Sequence, residues 1–357
     1  MKPVRSARHA WSVARTVGLV GMLAAPFALQ ATSTAEQSDL LELPERLSQT
    51  GLFMTGAPAI DPRNRSYAPQ YPLWTDGARK SRWVRLPSGG RIDARRADAW
   101  GFPVGTRFWK EFAFRGRRIE TRMLWRSTPN TWTFAAYVWN DAQTDAVLAP
   151  ADGVRDVVEI APGKRHTVPS RDDCRTCHDT GATPVLGFTA LQLSDDRDPA
   201  APHGEALAPG MLTLRRLIDD HLLDPMDPRL AIERPHIPGD PDTRAALGYL
   251  TANCGYCHNE RSDLATVQFP LSMPAFASPA ELARTLSTLA PRSTKWDAPG
   301  SAPGTTPLVK PGSPELSALV ARMRSRRPSS QMPPLGSSIV DTAGVELVSS
   351  WIAGRRF

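Results

Sequence analysis

Four cysteines fall into two copies of one five-residue pattern, Cys174-Arg-Thr-Cys177-His178 and Cys254-Gly-Tyr-Cys257-His258. No other feature constrains the chain so tightly. On a helical turn, residues i and i+3 face the same way. Each pair of thiols can therefore reach one edge of a flat ligand, and the following imidazole can reach its centre. C-x-x-C-H is the attachment pattern of c-type haem: the thiols add across two vinyl groups and the histidine becomes the proximal iron ligand. A four-cysteine zinc site usually spaces its pairs by ~15–20 residues, far less than the interval here. A redox-active C-x-x-C needs no histidine after it, yet with only 7 His in 357 residues both pairs have one. Disulfides are conceivable in an exported chain, but they leave those histidines unexplained. The reading is two covalently attached haem c groups, held by Cys174 and Cys177 and by Cys254 and Cys257. His178 and His258 ligate the metal, and no cysteine remains for a disulfide.

Residues 1–35 read as an export leader. Lys2, Arg5, Arg8 and Arg15 precede an apolar run from Val17 to Leu29, and Ala31, Ser33 and Ala35 offer small residues for cleavage. The run is short for a membrane span of ~20 residues; an uncleaved anchor is the alternative. Removing the leader lowers the formal charge from +7 to +3, which is no nucleic-acid footprint. The expected location is the periplasm, with membrane association only if the leader is retained. The 34 prolines argue for a loop-rich fold and against coiled coils and helical repeats.

Around the second motif, Asp240 or Asp242 can cap a helix that Pro241 opens. Leu247, Leu250, Cys254 and Cys257 recur at helical spacing and predict one face. Downstream, Met332 is followed by Pro333 and Pro334, which fix the backbone and remove two N–H donors. Met332 is the expected distal ligand of that haem, since His/Met ligation suits electron transfer; filling a core gap is the other use of such a residue. Ser313-Pro314 opens a further predicted helix carrying Leu316, Leu319, Val320 and Met323. Asp341 caps a last one carrying Leu347, Val348, Trp351 and Ile352. With these residues, 242–357 resembles a class I cytochrome c domain, which implies attachment at Cys254 and Cys257, proximal His258 and distal Met332. A Pro/Ser/Gly-rich insert from about 290 to 313 departs from that pattern.

After the first motif, a helix is expected from Gly210 to about Leu223, with Met211, Leu214, Ile218 and His221 on one face. Met211 or His221 could be the first haem's distal ligand. His203, Met226, His236 and Met273 are weaker candidates, His166 is another, and a five-coordinate iron is also open. An open position permits catalysis, whereas a closed one favours electron transfer.

Between Trp74 and Trp139, those two included, lie seven tryptophans. Ile119–Trp125 and Trp132–Trp139 alternate with period two, which reads as strands. Pro87–Gly90, Arg115–Arg117 and Ser127–Asn130 mark turns. The string from Trp74 to Lys80 reads as a polar turn, and the tryptophans as core and edge cover. The expected fold is multidomain α+β, an antiparallel β meander or sandwich (roughly 45–168) followed by a mostly α-helical haem region. The division is leader 1–35, tryptophan-rich domain 36–168, first haem segment 169–241 and cytochrome c-like domain 242–357. From about 60 to 357 the chain resembles a family of bacterial di-haem c-type cytochromes of unsettled role. The strings that carry this are Pro72–Ala78, Phe102–Thr106, Glu120–Arg122, Tyr137–Asn140 and both motifs. The resemblance implies a β module ahead of two haem sites and supplies no reaction. The expected function is single-electron transfer between periplasmic donor and acceptor proteins. The alternatives are a di-haem peroxidase or oxidase with an open first site, and a binding module in which the β region docks a partner.

Overall fold

The computed structural model describes residues 42–355 apart from 291, 294 and 295. The expected leader, 1–35, lies outside the described residues. The strands are β1 (Arg65–Ser66), β2 (Arg79–Arg85), β3 (Ile92–Ala94), β4 (Arg107–Phe114), β5 (Arg117–Thr128), β6 (Thr131–Trp139), β7 (Ala146–Leu148), β8 (Val154–Ala161), β9 (Lys164–Val168) and β10 (Leu223–Met226). The helices are α1 (Arg171–His178), α2 (Leu214–Asp219), α3 (Arg229–Ile232), α4 (Pro241–Asn253), α5 (Pro279–Thr288), α6 (Ala318–Arg324) and α7 (Thr342–Ala353).

An antiparallel sheet of six strands runs in the order β1-β2-β4-β5-β6-β7, a meander; β8 and β9 form a separate hairpin. Arg115 and Gly116 turn the β4–β5 hairpin with φ of 49° and 80°. Positive φ at both central residues matches the strands' right-handed twist. Side chains alternate across the sheet. Trp83, Trp109, Met123 and Ala135 are opposed across β2, β4, β5 and β6 on one face, where Leu47 and Leu52 cover them. Val84, Phe108, Leu124 and Phe134 are opposed on the other face. Val84, Phe108 and Leu124 of that face join the main core, which continues through Phe188, Leu217, Leu247 and Val348 to Ile352. Burying each such side chain is worth about 1.5–3 kcal/mol.

Two contacts tie later segments to the sheet region. β10 pairs with β3 in parallel, and Leu212 bridges Tyr67. α4 then threads between Tyr71 and α7. A methyl at Gly248 would collide with the Tyr71 ring, and one at Gly344 with Tyr249. Two glycines thus permit the close packing of α4 on both sides.

Several sequence expectations need correction. α4 ends at Asn253 with Cys254 as its cap, so Cys257 is not on a continuous helical face. The Gly210–Leu223 helix shrinks to α2, leaving Met211 and His221 outside it. The segment opened by Ser313-Pro314 is a 3-10 turn, Pro314–Leu316, and the α-helix restarts at Ala318. Here the Ser317 hydroxyl donates to the Ser313 carbonyl and accepts the Lys310 N–H. Local side-chain bonds of this kind compete with helix propagation.

Candidate functional site

The first motif lies on α1. Ser170 accepts the Asp173 N–H and Asp173 reciprocates, a capping box that fixes the helix start. The His178 Nδ1 bonds the Pro184 carbonyl. A carbonyl only accepts, so Nδ1 carries the proton and Nε2 keeps its lone pair. Burial, with the nearby Lys110 and Arg122 charges, pulls His178 down to about 4 against that bond. The imidazole is therefore neutral at neutral pH, the form a metal ligand needs. Its ring lies 5.2 Å from that of Phe134 on β6.

The second motif follows α4, whose start is capped by Asp240 accepting from Thr243 N–H at 2.8 Å. His258 N–H returns to the Cys254 carbonyl at 2.8 Å, so the motif closes one turn. At Gly255 a Cβ would lie 2.7 Å from the Thr251 carbonyl oxygen, which explains a glycine directly after the first cysteine. The His258 Nδ1 is buried and has no hydrogen-bond partner. Burial, then the Arg322 charge, lowers its pKa. Phe269 packs edge-on at 5.7 Å. Beside this turn lies a cavity of about 420 Å³ lined by Asn259, Leu264, Phe269 and Pro270, among others.

The two motifs touch, which spacing alone could not show. The Cys177 and Cys257 thiols lie close enough to interact, and that interaction together with burial pushes Cys177 up. Thr180 Oγ1 donates to the Tyr256 carbonyl at 2.9 Å, Asn259 Nδ2 donates to the same carbonyl at 2.8 Å, and Gly187 N–H donates to the Tyr256 hydroxyl at 2.9 Å. Burial raises Cys174 and pushes Cys254 up to about 12. Among the described residues no three His, Cys, Asp or Glu side chains are grouped to hold a metal ion.

Met332 sits in a loop secured from both ends. Its N–H donates to the Arg322 carbonyl at 3.0 Å, and Ser325 and Ser330 share a 2.7 Å hydroxyl bond. Beyond the prolines, Ser338 and Ile339 N–H groups donate to Asp76 at 2.8 Å each. Trp74 Nε1 donates to the Ile339 carbonyl at 3.2 Å. The Trp74–Lys80 string is thus more than a polar turn: it anchors the Met332 loop. Arg322 links that loop to His258, whose pKa its charge depresses.

The other nominated donors have different engagements. Met211 sulfur accepts the Ala208 N–H at 3.4 Å, His203 Nε2 pairs with Asp341 at 2.8 Å, and Met273 is buried core. His221 lines a separate cavity with Val84 and Phe188. Half-buried Met226 is on β10, and exposed His236 bonds the Arg234 carbonyl at 3.0 Å. His166 Nε2 bonds Glu120 at 2.8 Å, and the Glu120 charge reaches Cys174. Among the nominated donors, His166 is the one this contact ties to the first motif.

The donor set of each motif, two thiols and an imidazole, fits haem c. In the first, a backbone carbonyl orients the histidine and leaves Nε2 free; in the second, the His258 Nδ1 is buried without the partner that usually orients a metal-bound histidine. Compared with known proteins, the chain matches no family model, no curated protein and no solved structure.

Proposed function

We propose that the chain is an exported di-haem c-type cytochrome that passes single electrons between periplasmic partner proteins. The observation that carries this reading is the pair of C-x-x-C-H turns hydrogen-bonded to each other through Thr180 and Tyr256. Haem c supplies a one-electron couple when bound. Cys174 and Cys177 would hold one haem and Cys254 and Cys257 the other. His178 and His258 would present Nε2 as proximal donors. Pro184 sets the tautomer and orientation of the first imidazole, as such partners do for metal-bound histidines. Met332 would supply the distal thioether at the second haem, and Asp76 and Arg322 fix its loop. The contact of Cys177 with Cys257 would set the two attachment edges side by side, a short route for an electron. The helical segment from 242 onward is read as a class I cytochrome c-like domain, and the whole as the di-haem family that it resembles.

A second reading is a di-haem peroxidase or oxidase. It draws on the engagements of Met211 with Ala208 and His203 with Asp341, which leave neither donor poised beside His178. A high-spin signal from the first haem with peroxide turnover would favour it; two low-spin sites would count against it.

The decisive test is the mature mass together with the spectra of wild type and Met332→Ala. Two covalent haem masses are expected, and the near-infrared thioether charge-transfer band should vanish in the variant. A mass lacking two haems overturns the reading, and a surviving band removes Met332 from it.

A further inference from the structure

Three strands set cations side by side on the sheet face that carries Phe134. Arg82 of β2, Lys110 of β4 and Arg122 of β5 are direct cross-strand neighbours, and Lys80 lies two residues before Arg82 on the same face. Like charges placed directly opposite each other are destabilising. Two carboxylates answer them. Glu205 takes Arg82 at 2.9 and 3.0 Å. Glu120 takes Arg122 at 2.6 and 3.0 Å and shares itself with His166. Among the described residues, the hydrogen-bond partner of the Lys80 ammonium is a neutral acceptor, the Leu73 carbonyl at 2.7 Å. Asp341, whose charge also reaches Lys80, is committed to His203, Tyr249 and the Gly344 N–H. The Lys110 ammonium lies over the Phe112 ring of its own strand, 5.0 Å from the centroid. With all four ionised, these groups exceed Glu120 and Glu205 by two positive charges. Burial beside Arg82, Lys80 and Arg122 pulls Lys110 well below the usual lysine range, a sign of how poorly that charge is compensated.

The stripe is oriented relative to the first motif. α1 packs on β6, and β2 lies beyond β5 and β4 from it. The Arg122 charge reaches Cys174, Cys177 and His178, and that of Lys110 reaches His178. From β6 to β2 is three strand spacings, ~14 Å. A porphyrin tethered through thioethers on one edge carries its two carboxylates on the other. We propose that Lys80, Arg82, Lys110 and Arg122 form the subsite that receives the two propionates of the first haem, where Lys110 takes its counter-ion. The surplus of two positive charges equals the charge those propionates bring. This assignment rests on haem attachment at Cys174 and Cys177.

The test uses the full-length holoprotein with Lys110→Met and Lys110→Arg. Both haem potentials are titrated, and the propionate bending band is read by resonance Raman. The haem that shows the thioether band identifies the second site. Loss of a cation beside the propionates favours the ferric state. Lys110→Met should therefore lower the first haem's potential and shift its propionate band, leaving the second haem unchanged, and Lys110→Arg should restore both readouts. Methionine keeps most of the apolar stem and removes like-charge repulsion, so the fold should persist. If that variant nevertheless fails to fold, Lys80→Met should produce the same two changes in smaller degree. Two attached haems with an unmoved first potential and propionate band would overturn the subsite. A mass without two haems would instead overturn the di-haem reading.

Discussion

A carboxylate with no exposed surface needs a reason to stay ionised, and Glu120 has two. Burial alone would raise its pKa. The Arg122 charge, with hydrogen bonds from His166 and Arg122, outweighs burial and brings it down to about 2. A carboxyl held below its unfolded value of ~4.3 adds stability above that value and loses it as pH falls toward the folded one. The contribution is on the order of 3 kcal/mol, present at neutral pH and lost between about pH 5 and pH 2. Denaturant melts across that window should show wild type losing more stability than Glu120→Gln, which starts lower because Arg122 is left unpaired. Equal slopes for the two proteins would show that Glu120 contributes nothing to acid unfolding. At the residue scale the candidate site is legible in sequence only as a spacing, that of Cys174, Cys177 and His178. The partners that tune those residues, Pro184, Glu120 and Lys110, come from other strands and loops and carry no local signal.

At the scale of elements, the sequence announced beginnings better than ends. Asp240-Pro241 and Asp341 cap α4 and α7 as read, because a cap is a bond between a side chain and backbone three residues on. The alternation in Ile119–Trp125 and Trp132–Trp139 gives β5 and β6 for the same local reason. The end of α4 at Asn253 was not legible, since Leu250, Cys254 and Cys257 keep helical spacing through a turn that is no longer α-helix. Nor was the role of Gly248, which a helix scale marks only as unfavourable. Its function is to admit the Tyr71 ring, whose hydroxyl reaches Asp198 at 3.1 Å. Gly248→Ala should gain slightly in helix propensity and yet cost about 1–3 kcal/mol by overpacking. Thermal melts should show the drop, and Tyr71→Ala in the same chain should relieve the clash. A Gly248→Ala protein as stable as wild type would mean that α4 can shift away from Tyr71 at no cost.

At the scale of the whole molecule, residues far apart in sequence share one task. Asp76 lies in the turn that enters the sheet and holds the segment that follows Met332, near the other end of the chain. It accepts two backbone N–H groups there and adopts φ of 50° to do so; aspartate tolerates that left-handed region better than most residues. In sequence the string around it reads as a polar turn, because a backbone acceptor for a distant loop looks there like any solvated acid. Charge-assisted bonds to buried backbone donors are worth about 1.5–3 kcal/mol, so Asp76→Ala should lower stability by roughly that amount. The more informative result concerns the loop. On the proposed di-haem reading, with Ser338 and Ile339 released the thioether would be held less firmly, and the near-infrared band expected from Met332 ligation should weaken or become pH-sensitive while both haem masses remain. Asp76→Asn keeps one carbonyl acceptor and should fall between wild type and Asp76→Ala. A destabilised Asp76→Ala protein with an undiminished band would show that Arg322 and the two prolines suffice to position Met332. The sheet-to-loop tie would then serve stability alone.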